Sequence, residues 1–578
     1  EPDRAMAELM GKETGYCLGR GGSMHIADLT RGNLGANAIV GGGMPIAVGA
    51  ALAAKLKATD QVAVSFFGDG ASNEGVFHEA LNMASLWKLP VIFVCENNGF
   101  GISVPVAQST SVADIAERAK GYAMPGAIVD GNDVEAVSHA ITAARQENDR
   151  PTIIINRTVI GYGSPNRAGS AKSHGEPLGP EETKATKQAL GWDPQTSFYI
   201  PEMAKNHLSK AIARGLDSQQ KWQHLFNKYR DNYPSEAQNL LARIENRLSE
   251  NWQTNITKVI SSLPQSTREA SGQVLNHLSE KIDSLMGGSA DLGPSNKSIM
   301  LKEGYFSSSH RTGRNIRFGV REQAMGAIVN GMALHGGIRP YGATFLAFYD
   351  YMRAPIRLAA LMKIPSIFLF SHDSIGMGED GPTHQPIEHI LGLRSVPNLV
   401  TLRPADGFET TWAWQIALNR NGPTAILTSR QKVSYIDRST LASAEGTTRG
   451  GYTLWQSALG PPDLIIIATG SEVSLALSTA LAVSIKCRKT VRVVSLPSWE
   501  LFNLQPLEYR NQVLPPECPK RISVEAASTI GWSQYAQVNI GVNSFGLSAP
   551  AEQLFEYFGL TVENISKEAI RLLEWTEK

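Results

Sequence analysis

The chain has 578 residues, 54 of them basic and 54 acidic, so its formal net charge is zero and no global field draws it to nucleic acid or an anionic membrane. At 42% hydrophobic and 19% charged residues it reads as an ordinary globular chain, long enough for three or four domains. Its cysteines, Cys17, Cys95, Cys487 and Cys518, have neither metal nor redox spacing, no apolar run reaches membrane-spanning length, and no basic-then-apolar leader opens the chain. A soluble cytoplasmic protein without disulfides, nucleic-acid partner or membrane partner is expected. Glu1 rather than Met opens the sequence, which points to a truncated or processed N-terminus.

A short helical pattern comes first, then two glycine-rich passages, Gly19-Arg20-Gly21-Gly22-Ser23-Met24-His25 and Gly35 to Gly43. The second leads into an Ala-rich helix expected over Pro45 to Lys57, with backbone donors at its N-terminus. The stretch that organises the chain follows, Phe66 to Val104. Val62 to Phe67 reads as a buried strand, and it ends in Gly68-Asp69-Gly70, where two glycines let backbone N–H groups approach an anion closely. That is a phosphate cradle. An aspartate cannot face a phosphate without a cation between them, so Asp69 suggests a divalent ion bridging carboxylate and diphosphate. Helical spacing over 74–87 and a second strand over Pro90 to Cys95 lead to Asn97 and Asn98, whose amide oxygens suit Mg²⁺ or Ca²⁺. Either loop alone reads as a turn; the two together, side by side at one sheet edge, are far more specific.

Residues 196–262 are polar, with helical spacing of Trp222, Leu225, Tyr229, Leu240, Leu241, Ile244 and Leu248, and read as helices packed on the surface. Beyond them strand-like runs at Ser366–Phe370, Leu399–Leu402 and Ala425–Ser429 alternate with helical patterns, the signal for parallel α/β layers. A last α/β unit has strands at Leu464–Ala468 and Val491–Leu496.

Strand-GDG, helix, strand and Asn-Asn at this interval resemble the thiamine diphosphate fingerprint. From Gly19 to about Asp130 the motifs GRGGSMH, FFGDGASNEG, NMASLWKLP and ENNGFGISVP resemble the α subunit of the E1 component of 2-oxoacid dehydrogenases. From Pro151 to the C-terminus, AKSHGEPLG, MGGSADLGPSN, RFGVREQAMGAIVNG, HDSIGMGEDGPTHQP, RPADGFET and LTSRQ resemble the transketolase family. The two likenesses imply an α/β thiamine diphosphate-binding fold with two related parallel-sheet cofactor domains and a C-terminal α/β domain. The expected division is a diphosphate-binding domain over 1–195, N-terminally truncated, a helical linker over 196–262, a pyrimidine-binding domain over 263–437 and a C-terminal domain over 438–578.

The resemblance also implies roles. Asp69, the Asn98 side chain and the Phe100 carbonyl would hold Mg²⁺ or Ca²⁺. Gly68, Gly70 and Ala71 would touch the diphosphate, Ala38 and Val40 the aminopyrimidine, and Glu74 would join a network between active sites. Glu322, in VREQAM, matches the glutamate that sets the cofactor's pyrimidine for catalysis, with Gln323 where many relatives have histidine. Before an apolar helix such a residue also reads as a simple helix-terminal charge. Phe345, Phe348 and Tyr351 would surround the pyrimidine, although as a bare helical stripe they read as core. Asp291 would lie near the thiazolium and His174 near the diphosphate and reaction centre. His384 would bind substrate oxygens, Asp380 the next hydroxyl, and His372, Arg268, Ser295 and Arg430 a sugar phosphate; an arginine fork can meet two phosphate oxygens at once. His25 stands at the interval before Val40 of a family histidine at the reaction centre. These residues point to transfer of a two-carbon ketol unit from a ketose phosphate to an aldose phosphate, in the pentose phosphate pathway, by a homodimer with active sites at its interface. Two alternatives stand beside it: an E1-type pyruvate or acetoin dehydrogenase, and a recombined, inactive protein of the same fold.

Overall fold

The computed structural model describes residues 1–147, 149–248 and 251–574, so the last four residues of the expected C-terminal domain lie outside the described residues. The chain divides into two compact units, residues 1–250 with 335–337 and residues 251–334 with 338–578.

The first unit holds a four-stranded sheet in the order β1-β2-β4-β3, formed by β1 (Ala63–Gly68), β2 (Val91–Asn97), β3 (Gly126–Asp130) and β4 (Thr152–Arg157). Every pair is parallel, so all four strands end at one edge. The glycine passage opens the helix Gly43–Leu56, and Met44 to Ala54 are buried without a break. Such a helix, apolar all round, belongs inside a core, and it packs on β1 and on the helix Gly75–Leu86. The β1 segment departs from its expectation. It is an edge strand, and Val64 and Phe66 are exposed while Ser65 and Phe67 are buried. A continuous apolar run cannot by itself tell a strand covered on both faces from one covered on a single face.

Residues 202–244 form two helices, Glu202–Asn232 and Pro234–Ile244. The expected apolar stripe is not their buried face: Trp222, Leu225, Leu240 and Ile244 are exposed, and Phe226 and Ala237 are buried instead. The helical period was legible, but which face meets protein was not.

The second unit holds two sheets. One has six strands, β5 (Leu285–Ser289), β6 (Asn315–Arg317), β7 (Arg339–Phe345), β8 (Ile367–Ser371), β9 (Val400–Leu402) and β10 (Thr424–Thr428), all parallel in the order β6-β5-β7-β8-β10-β9. The other has β11 (Tyr452–Gln456), β12 (Leu464–Ala468), β13 (Val491–Ser495), β14 (Arg521–Val524) and β15 (Val538–Ile540) in the order β11-β13-β12-β14-β15, with β11 alone antiparallel. Its central strand β12 is buried on both faces. Leu464, Ile466 and Ala468 enter one apolar cluster and Ile465 and Ile467 another, which explains the unbroken apolar run in the sequence. The four cysteines are free thiols, and among the described residues no helix is long and apolar enough to cross a membrane.

Buried charges tie these two sheets together. Asp406 caps the helix Gly407–Asn419, its carboxylate accepting the Glu409 N–H at 2.8 Å. Arg438 donates to Asp406 at 2.8 Å and to the Tyr452 hydroxyl at 2.7 Å, and that hydroxyl donates to Glu409 at 2.7 Å. Burial pushes Asp406 up, and the Arg438 charge opposes that shift. Arg438→Met should therefore strand two buried carboxylates and cost about 3–5 kcal/mol of stability, read as a clear fall in Tm by calorimetry. A Tm equal to that of the wild type would show that Arg438 is not what compensates them.

Candidate active site

In the first unit the edge where β1 and β2 end gathers the residues of the phosphate-cradle pattern. Asp69 is 1% exposed. Its Oδ2 accepts the Gly99 N–H at 3.1 Å, while Oδ1 is buried and has no hydrogen-bond partner among the described residues. Burial raises its pKa, and N–H groups of Gly70, Gly99, Asn98 and Phe100 oppose the rise. Asn98 Oδ1 accepts the Phe100 N–H at 3.0 Å, which closes a tight turn in the second loop. The loops approach so closely that a Cβ on Gly70 would lie 3.2 Å from the Gly101 Cα. A buried carboxylate with an orphaned oxygen, beside a loop that carries an amide oxygen and backbone carbonyls, could hold a hard divalent cation.

The remaining expected residues of this unit are more dispersed. Ala71 is buried and Glu74 exposed at the start of the helix Gly75–Leu86; Ala38 and Val40 are exposed beside the glycine passage. His25 is half-buried with its Nδ1 2.9 Å from the Gly21 carbonyl, and His174 is exposed in the segment after β4.

Two groups that sequence reading missed hold the loops in place. The Glu8 carboxylate accepts four backbone N–H groups of the first glycine passage, from Cys17 (2.7 Å), Gly19 (2.9 Å), Gly21 (2.6 Å) and Gly22 (3.1 Å). Burial works against its charge, but these donors bring its pKa below the usual glutamate value. Arg118 donates to the Ser72 carbonyl and, at 3.0 Å, to Asn73 Oδ1, clamping the turn that follows Asp69.

The second unit assembles its own group at the C-terminal edge of the six-stranded sheet. Phe345 ends β7, and its ring lies 5.8 Å from Phe348 and 3.7 Å from His372, which follows β8. Phe348 lies 6.2 Å from Tyr351 and 5.3 Å from His384. The expected aromatic residues and two expected histidines thus form one cluster. Glu322 is buried at the start of the helix Glu322–His335, where Thr344 Oγ1, one residue before Phe345, donates to its Oε1 at 3.5 Å.

The two arginines are brought together by a pairing not visible in either motif. Ser266 and Glu269 close a capping box at the start of the helix Thr267–Ser279. Thr267 then donates its N–H to Ser429 Oγ at 3.1 Å and accepts the Ser429 N–H on Oγ1 at 2.7 Å. The neighbouring residues are Arg268 and Arg430. Burial and then Arg430 lower the Arg268 pKa, while burial, Arg268, Arg430 and His384 bring His372 down to about 3. His372 is therefore neutral at physiological pH and sits among cationic groups, a setting for an anion. Arg268 also donates to the Ser295 carbonyl at 2.8 Å. Asp291, with φ +64°, and Asp380 are exposed at loop positions outside the aromatic cluster.

Three family models match the chain: "Dehydrogenase E1 component" over residues 1–158, "Transketolase, pyrimidine binding domain" over 264–434 and "Transketolase-like TK C-terminal domain" over 450–561. The transketolase of Aquifex aeolicus is 43% identical over 560 residues, covering 94% of this chain and 79% of its own length. That of Bacillus subtilis is 40% identical over 543 residues, covering 91% and 81%. Both alignments reach into the N-terminal stretch that resembles the E1 component. Among solved structures, transketolase from Leishmania mexicana superposes with a TM-score of 0.88 at 36% identity, and transketolase from Pichia stipitis in complex with sedoheptulose 7-phosphate with 0.87 at 34%. Each covers 93% of this chain and 81% of the solved one. The chain belongs to the transketolase family of thiamine diphosphate-dependent enzymes.

Proposed function

We propose that the protein transfers a two-carbon ketol unit from a ketose phosphate to an aldose phosphate. The observation that carries this reading is the meeting of Arg268, Arg430 and neutral His372 beside the Phe345–Phe348–His384 cluster. It is a phosphate-reading group next to a ring-binding surface, and function follows the site rather than the scaffold. The Pichia stipitis relative in complex with sedoheptulose 7-phosphate supports a sugar phosphate as ligand.

Thiamine diphosphate, when bound, would supply a carbon nucleophile for the reaction. Asp69, the Asn98 amide oxygen and the Phe100 carbonyl would hold Mg²⁺ or Ca²⁺, Gly68, Gly70 and Ala71 would receive the cofactor's diphosphate, and Ala38 and Val40 would meet its pyrimidine. Phe345, Phe348 and Tyr351 would receive that ring, Glu322 would hold a proton toward it, Asp291 would lie near the thiazolium and Glu74 would join a network between active sites. Arg268, Arg430, Ser295 and His372 bind the substrate phosphate, Asp380 a hydroxyl, and His384, with His174 and His25, orients substrate oxygens and carries protons. The metal-holding and ring-holding residues fall in different compact units. We infer a homodimer in which one protomer supplies the former and its partner the latter, working in the cytoplasm on sugar phosphates of the pentose phosphate pathway. The four-part division of the chain at 195, 262 and 437 belongs to the same proposal.

Purified protein with thiamine diphosphate and Mg²⁺ should form sedoheptulose 7-phosphate from xylulose 5-phosphate and ribose 5-phosphate. Oxidative decarboxylation of pyruvate without ketol transfer would replace this reading by an E1-type one. Asp69→Ala should weaken thiamine diphosphate binding at least about 100-fold by calorimetry, beyond the loss typical of outer-shell groups, because it removes a metal ligand. Tm should not fall, since a buried carboxylate with one oxygen unsatisfied is costly enough to the fold to offset the lost hydrogen bond from Gly99; unaltered affinity would remove Asp69 from the metal site. Asp69→Ala and Glu322→Ala chains should each be inactive, whereas an exchanged mixture should regain about a quarter of wild-type activity through dimers with one intact site. No recovery after confirmed subunit exchange would rule out the shared site.

A further inference from the structure

The second unit contains a buried charge network that the roles above leave unused. Arg403 follows β9 and is 0% exposed. Its Nε donates to Asp373 Oδ2 at 2.8 Å, and its Nη1 donates to the Thr469 carbonyl at 3.1 Å, to Thr469 Oγ1 at 3.0 Å and to Glu472. Thr469 to Glu472 form the turn between β12 and the helix Glu472–Cys487. β12 is the strand at which the five-stranded sheet reverses its order, and the crevice outside such a strand is where open α/β sheets bind ligands. Here the Arg403 guanidinium fills it. Gly470, at φ +56°, leaves the room: a Cβ there would lie 2.6 Å from Arg403 Cζ.

The same turn reaches a second point. Ser471 Oγ accepts from Gln431 Nε2 at 3.0 Å, and the Gln431 side chain lies so close over Gly376 that a Cβ there would meet it at 2.4 Å. Asp373 is the residue after His372, and Gln431 is the residue after Arg430. One turn therefore grips the chain immediately beyond both phosphate-facing residues. His372 needs such a grip, because a non-glycine residue at φ +61° persists only where its surroundings hold it.

We infer that the Thr469–Glu472 turn is a positioning element for phosphate recognition, fixing His372 through Arg403 and Asp373, and Arg430 through Ser471 and Gln431. The inference rests on the phosphate-reading role proposed above for His372 and Arg430. It gives the turn that follows β12 of the C-terminal sheet a part in choosing the substrate.

The test compares wild type, Asp373→Asn and Ser471→Ala in the full-length chain. Ribose 5-phosphate and ribose binding are measured by calorimetry, and steady-state kinetics use xylulose 5-phosphate with ribose 5-phosphate. Each variant should lose about fivefold in ribose 5-phosphate affinity, the equivalent of one misplaced hydrogen bond. KM should rise by a similar factor with kcat within about twofold, and ribose affinity should stay unaltered. A merely structural role would lower Tm and affect both sugars alike. An unaltered preference for the phosphorylated sugar, or a parallel loss for both sugars, overturns the inference. Ser471→Ala decides alone if Asp373→Asn does not fold, since that hydroxyl is only part-buried. Wild type that prefers ribose 5-phosphate without turning it over refutes ketol transfer and leaves the binding comparison to decide this inference, whereas wild type without that preference refutes the inference itself.

Discussion

Parallel pairing decides where chemistry gathers in this chain. In each cofactor-type sheet every strand runs the same way, so every strand delivers the residue after its C-terminal end to one edge. Asp69 and Asn98 meet because β1 and β2 are neighbours in parallel. Phe345, His372 and Arg430 meet because β7, β8 and β10 are neighbours in the other sheet. These residues are far apart in the sequence and share nothing locally. Their proximity is a consequence of strand order and parallel pairing.

The first site keeps an electrostatic debt that the second avoids. Asp69 is buried with one oxygen satisfied by backbone and the other by nothing among the described residues. A carboxylate in that state is costly in a protein interior and is relieved by a cation. In the second unit the charged groups near His372 are Arg430, exposed after β10, and Arg268, part-buried in the first turn of the helix Thr267–Ser279, while His372 stays neutral. A chain of zero net charge thus carries local fields of opposite sense, one at a buried carboxylate and one at two arginines.

Deeper in the second unit the charges are paired rather than poised. Glu525 accepts N–H bonds from Nη1 and Nη2 of Arg394, each at 2.8 Å, and burial's upward push on its pKa is overcome by Arg394 and Arg403, which bring it to about 2. Trp532 donates to the same carboxylate at 2.9 Å, and the Arg394 guanidinium stacks 4.0 Å from the Trp499 ring. Such pairs add little net stability over apolar packing, but they accept only one arrangement of their partners. That property suits a framework required to hold strand-end loops in fixed places.

Much of this was readable without coordinates. The glycines and aspartate of FFGDG, the two asparagines after the next strand, and the REQAM and HDSIGMGEDGPTHQP motifs are local patterns, and local chemistry fixes what a turn, a strand end or a helix start can offer. The strand at Leu464–Ala468 was legible for the same reason, since a strand buried on both faces is written as an unbroken apolar run. Only the tertiary structure decided that Val64 and Phe66 face outward, because exposure depends on what lies beyond the strand and not on the strand itself. It alone decided that Glu8 would hold a glycine loop by four N–H groups, that Thr267 and Ser429 would set two arginines side by side, and that Arg403 would reach Asp373 and Glu472 at once. Those contacts join residues separated by up to 162 positions, and no local pattern specifies a partner at that distance: the side chains meet only after the sheets have formed and packed.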